Sequence, residues 1–134
     1  MKAIIIDPDN KDISCIILPR KKGESYFVAI QKAIESSSLP RKLSLNFTSD
    51  ALFTDIYGSS CFQESQAFKL EGISAPIFGK ALIIRIDPHG IEQTPLTRIE
   101  DMWEKVTFYD EAESKALRIA INTKCKIPSQ LCVN

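Results

Sequence analysis

Apolar positions along this chain fall into three patterns, and each predicts a different kind of element. Ala3-Ile4-Ile5-Ile6, Ile13 to Leu18 and Ala81-Leu82-Ile83-Ile84 are short, nearly continuous aliphatic runs, so they predict strands of which at least one is covered on both faces. Asp7-Pro8-Asp9-Asn10-Lys11-Asp12 separates the first two runs with a fixed proline φ and Asx-forming side chains, which predicts an N-terminal β-hairpin. The second pattern alternates. Leu43, Leu45 and Phe47 are interleaved with Ser44 and Asn46, and Leu52 to Tyr57 again reads as extended, which predicts a second hairpin turning at Ser49-Asp50. The third pattern is helical: from Glu24 to Ser36, Tyr26, Phe27, Ile30, Ala33 and Ile34 gather on one side. Ser36-Ser37-Ser38-Leu39-Pro40 ends that helix, because serines compete for backbone hydrogen bonds and proline disfavours helical angles in the residue before it.

The stretch from Ala67 to Gly90 carries the clearest strand signals. Phe68 to Leu70 begins one strand, Lys80 to Ile86 forms the strongest in the chain, and Asp87-Pro88-His89-Gly90 follows as a type I turn by composition. Gly58 to Gln66, upstream, is small and polar, a loop. Thr97-Arg98-Ile99-Glu100 fits a capping box that opens a helix carrying Ile99, Met102, Trp103 and Val106 at helical spacing. Val106 to Tyr109 reads as a short strand, and Asp110 as the cap of a second helix running to Ile121. Lys124 to Asn134 has no periodicity and reads as a loose tail. The sum is a single α+β domain over 1–123. A mixed or mainly antiparallel sheet of about five to seven strands carries an amphipathic helix on one face and a C-terminal helix.

Composition agrees with one folded domain. A chain of 134 residues removes roughly two-thirds of its unfolded surface from water, and its 44% hydrophobic and 25% charged residues are ordinary for globular domains. Seventeen cationic residues against seventeen anionic ones leave no global field to gather polyanions. No apolar run approaches the roughly 20 residues needed to cross a bilayer, and the segment before Asp7-Pro8 is too short for a signal-peptide core, so a cytoplasmic protein is expected. Cys15, Cys61, Cys125 and Cys132 are irregularly spaced and read as reduced thiols, with Cys15 expected in the core.

Met1 to Pro8, Ala67-Phe68-Lys69-Leu70, Pro76 to Leu82 and the helix running into Val106-Thr107-Phe108 together resemble a family of small uncharacterised proteins found in bacteria and their phages and plasmids. The similarity spans about residues 1 to 110, with Thr54-Asp55-Ile56-Tyr57-Gly58 at the place of that family's acidic, glycine-ended turn. The resemblance implies a compact α+β domain, an accessory role in mobile DNA, and no catalytic residues.

The residues themselves offer little chemistry. Gly58-Ser59-Ser60 lacks the spacing of a nucleophile elbow, and no glycine-rich phosphate loop follows a strand. Lys11 and Asp12 spoil a calcium loop built on Asp7 and Asp9, and one histidine with four scattered cysteines makes no zinc site. No cofactor or metal is expected. The one enzymatic alternative pairs Cys61 with His89, assisted by Asp87, and requires those groups to converge within about 3 Å or through one water.

Binding is therefore the leading expectation, to a protein partner or a small ligand, with Met102, Trp103, Tyr57 and His89 as the candidate surface. Edge strands of a small sheet leave unpaired backbone that can join a second copy of the chain as a homodimer. A nucleic-acid alternative rests on Arg20, Lys21 and Lys22 meeting Arg41 and Lys42 as one basic edge around the first helix, with Tyr26 or Phe27 for stacking.

Overall fold

The computed structural model describes residues 1–60 and 63–133, with side chains described as far as residue 123. The expected loose tail at 124–134 and the candidate thiol Cys61 therefore lie outside the fully described residues. The predicted N-terminal hairpin is β1 (Lys2–Asp7) and β2 (Asp12–Ile17), followed by α1 (Tyr26–Ala33). The second hairpin is β3 (Pro40–Ser44) and β4 (Ala51–Asp55). Next come β5 (Ala67–Leu70), β6 (Ile77–Phe78), β7 (Ala81–Ile86) and β8 (Glu92–Gln93). The chain closes with α2 (Ile99–Lys105), β9 (Val106–Phe108) and α3 (Glu111–Val133).

All strand pairings are antiparallel, and they form two sheets in one α+β domain. The larger has the order β2-β1-β7-β4-β3, with β8 on the far end of β7, and the smaller is β6-β5-β9. The continuous apolar runs are explained by this layering, because strand side chains alternate between faces. Ala3, Phe53, Leu82 and Ile84 face α1, where they pack with Ala29, Ile30 and Ile34. Ile4, Ile6, Leu52, Ala81 and Ile83 face the small sheet and α2, meeting Phe68, Leu70, Met102 and Val106. Each fully buried aliphatic side chain here stabilises the fold by roughly 1.5–3 kcal/mol, and β1 and β7 contribute such side chains to both layers.

Local signals set the ends of the elements. Ser25 caps α1 by accepting from the Phe27 N–H at 3.2 Å, and the Asp87 turn closes with Gly90 N–H to Asp87 O at 2.9 Å. A reciprocal capping box starts α3, with Glu113 N–H donating to Asp110 Oδ1 at 2.7 Å and Asp110 N–H to Glu113 Oε1 at 3.1 Å. The expected box at Thr97 does not form. Thr97 instead donates its hydroxyl to Oδ2 of buried Asp50 at 2.6 Å and its N–H at 2.7 Å, and α2 begins one residue later, after Arg98. With that hydroxyl proton committed, the Thr48 hydroxyl donates to Thr97 Oγ1 at 3.0 Å.

α3 is joined to the body by polar groups. Ser114 Oγ accepts from the Ala67 N–H at 2.8 Å, and Arg118 Nη2 donates to Gly58 O at 3.1 Å and Ser65 O at 2.7 Å. The Arg118 guanidinium lies 4.6 Å from the Phe78 ring centroid. Gly58 allows this close approach, since a Cβ there would sit 2.5 Å from the carbonyl oxygen of Phe78.

Candidate interaction surface

Topology separates most of the residues singled out from the sequence. Tyr57 is exposed in the turn after β4, whereas His89 is exposed in the turn after β7. Ala51 pairs with Ile84 and Phe53 with Leu82, which puts those two turns at opposite ends of the sheet. Met102 is fully buried in the core and presents nothing to a partner, while its neighbour Trp103 is half-exposed and edge-on to Phe108 at 6.0 Å. Tyr57 and His89 are therefore held apart, and Met102 lies in the core rather than on the surface.

Of the enzymatic grouping, Cys61 lies outside the described residues, while Asp87 and His89 share the turn after β7. Asp87 Oδ1 accepts the backbone N–H of His89 at 2.9 Å and of Ile91 at 2.8 Å, and Gln93 Nε2 donates to Oδ2 at 3.2 Å, so this carboxylate builds the turn. These bonds, the Ile91 N–H foremost, hold its pKa below the usual value of 3.8. No group of three or more His, Cys, Asp or Glu among the described residues is placed to hold a metal ion.

The basic groups are also divided. Arg20 to Lys22 follow β2 and Arg41 and Lys42 lie on β3, the two opposite edges of the large sheet. Arg20 is paired with Glu92, and Arg41 and Lys42, being consecutive in a strand, point to opposite faces. The expected common edge does not exist, because the segment carrying α1 leads from one edge strand of the sheet, β2, to the other, β3.

The structure instead assembles a surface at β2 that the sequence did not suggest. A groove of about 490 Å³ runs between the start of β1, the outer strand β2 and residues 94–100. Its floor and walls are mainly apolar, formed by Ala3, Ile4, Ile16, Ile17, Pro95 and Ile99, and Lys2, Arg98 and Glu100 stand at the rim. Ile17 is 74% exposed and Cys15 is also exposed, which corrects the expectation of a core cysteine. An edge strand covered on one face only leaves that position open to water. Leu96, likewise exposed, and half-exposed Trp103, one turn beyond Ile99, extend the apolar surface.

The backbone of β2 can be read residue by residue. Leu18 N–H donates to Met1 O at 2.6 Å, in register with Lys2 opposite Ile17 and Ile4 opposite Cys15. Bonded and non-bonded pairs alternate in an antiparallel ladder, so Ala3–Ile16 and Ile5–Ser14 are the bonded pairs. The N–H and C=O groups of Ile13, Cys15 and Ile17 therefore point away from the sheet, on the side where no strand among the described residues pairs with β2. Two open features thus coincide: an unpaired edge and, beside it, an apolar groove.

Comparison with family models, with curated proteins and with solved structures gave no match to this chain.

Proposed function

We propose that this chain is a non-enzymatic protein-interaction module that receives an added β-strand along β2. The supporting observation is the coincidence of outward backbone groups at Ile13, Cys15 and Ile17 with the apolar groove beneath them. Added strands obtain affinity from main-chain hydrogen bonds and selectivity from pockets that take alternate side chains, and this edge offers both. An exposed apolar edge strand is ordinarily guarded by charge or proline, and within Ile13–Ile17 neither is present. Such a module fits the accessory role in mobile DNA that the family resemblance implies.

A displayed library of random extended peptides tests the reading. Selection on the wild-type protein enriches a sequence class that perturbs the amide resonances of Cys15, Ile17 and Ile99, and the same library yields none of that class on Ile17→Lys. Equal enrichment on both proteins, or perturbation elsewhere, refutes it.

A further inference from the structure

The charge pattern around β2 points to a particular occupant. At its N-terminal end stands the turn bearing Asp7, Asp9, Lys11 and Asp12, three anions against one cation; at its C-terminal end stand Lys21 and Lys22, after Arg20, which is paired with Glu92. Asp9, Asp12, Lys21 and Lys22 are exposed. A strand laid antiparallel along this edge meets attraction at both ends when its own start is acidic and its own end is basic, which is how β2 itself is built.

Resting on the reading of β2 as a receiving edge, we infer that its partner is a second copy of this chain, paired β2 to β2 about a two-fold axis at Cys15. The register follows from which backbone groups are free. A symmetric antiparallel pair must join residues that both direct N–H and C=O outward, namely Ile13, Cys15 and Ile17. Centring on Cys15 uses all of them: Ile13 lies opposite the partner's Ile17, Cys15 opposite the partner's Cys15, and Ile17 opposite the partner's Ile13. Three bonded pairs give about six N–H···O bonds. The same register sets Asp12, at the start of β2, at the end of the partner's β2 that leads towards Lys21 and Lys22. Centring on Ile13 or Ile17 leaves outward groups unpaired, and moves the acidic turn off the basic end. Exposed Ile17 gains the partner's Cys15 and Ile13 as neighbours, and the two apolar grooves come to lie on the same face of one continuous sheet.

Sedimentation equilibrium of the full chain under reducing conditions is the test. The wild type is expected to be a dimer at micromolar concentration, weakening as salt is raised. Ile17→Lys is expected to be a monomer with unchanged thermal unfolding, since that side chain is already in water. Lys21→Glu/Lys22→Glu weakens the dimer about tenfold or more. A short bis-maleimide cross-links the wild type between subunits, and Cys15→Ser abolishes that product while leaving the dimer intact. A wild-type monomer at all accessible concentrations overturns the inference, as does a dimer indifferent to Ile17→Lys or one whose cross-link survives Cys15→Ser. None of these results decides the peptide-library outcome, which tests the receiving edge on its own.

Discussion

Replacing Arg118 by Met measures how firmly α3 is fastened to the rest of the domain. The guanidinium is only 7% exposed and donates to two carbonyls, Gly58 O and Ser65 O, and to Ser65 Oγ at 3.3 Å, while stacking on Phe78. Hydrogen bonds from a charged donor contribute roughly 1.5–3 kcal/mol each, and an abandoned buried carbonyl costs about 1–3 kcal/mol. Against this, burial disfavours the charge, lowering the Arg118 pKa, and Nε is buried without a partner among the described residues, so removing the cation recovers part of its desolvation. Methionine keeps most of the volume over Phe78. The balance is a loss of about 2–4 kcal/mol, and Arg118→Ala, which also opens a void, should lose about 3–5 kcal/mol. Urea unfolding followed by Trp103, the only tryptophan, reads this directly. With a slope of about 1–3 kcal/mol/M the methionine variant's midpoint should fall by roughly 1–2 M. Arg118→Lys should fall in between, because an ammonium keeps a charged donor for the carbonyls but lacks the planar group that stacks on Phe78. A midpoint within about 0.2 M of wild type for Arg118→Met would show that the clamp is energetically neutral and that apolar contacts alone hold α3.

Three further perturbations address separate parts of the structure. Thr97→Val should destabilise by about 2 kcal/mol in the same assay, because buried Asp50 loses its 2.6 Å hydroxyl donor and keeps only the Thr97 N–H; an unchanged midpoint refutes the Asp50–Thr97 link. Asp87 has a depressed pKa, so its ionised form contributes stability above pH 3.8 that is lost as pH falls below that value. The melting temperature of Asp87→Asn should therefore lie below wild type at neutral pH and approach it in acid, and a constant gap would contradict that. Gly58→Ala should lower the melting temperature by several degrees, since its Cβ meets backbone, which cannot swing aside; an unaltered melting curve argues against the close approach.

What the sequence revealed was local or strongly patterned. β1, β2 and β7 were legible because aliphatic runs between turn residues admit few alternatives, and α1 and the Asp110 cap because their determinants lie within a few residues. The Thr97 box misled for a physical reason: its hydroxyl has a stronger acceptor in Asp50, 47 residues away, that no local motif reveals. Met102 and Trp103 are consecutive in α2, yet one is core and the other half-exposed, a difference set by what packs on each side. Arg20–Lys22 and Arg41–Lys42 looked contiguous because one helix separates them in sequence, but the segment carrying that helix leads from one edge strand of the sheet, β2, to the other, β3. The groove was out of reach for the same reason, since it joins β2 to residues 94–100. Cys15 was assigned to the core because Ile13 to Leu18 is apolar throughout, and strand order alone decided that this run would be an edge.

Residue-resolved amide exchange along β2, followed across protein concentration, probes the edge most directly. In dilute protein the account predicts slow exchange at Ser14 and Ile16, bonded to β1, and solvent-like exchange at Cys15 and Ile17, which slows as concentration rises and the edge is occupied. Uniform protection of all four amides in dilute protein, or fast exchange at Cys15 and Ile17 at every concentration, would contradict it.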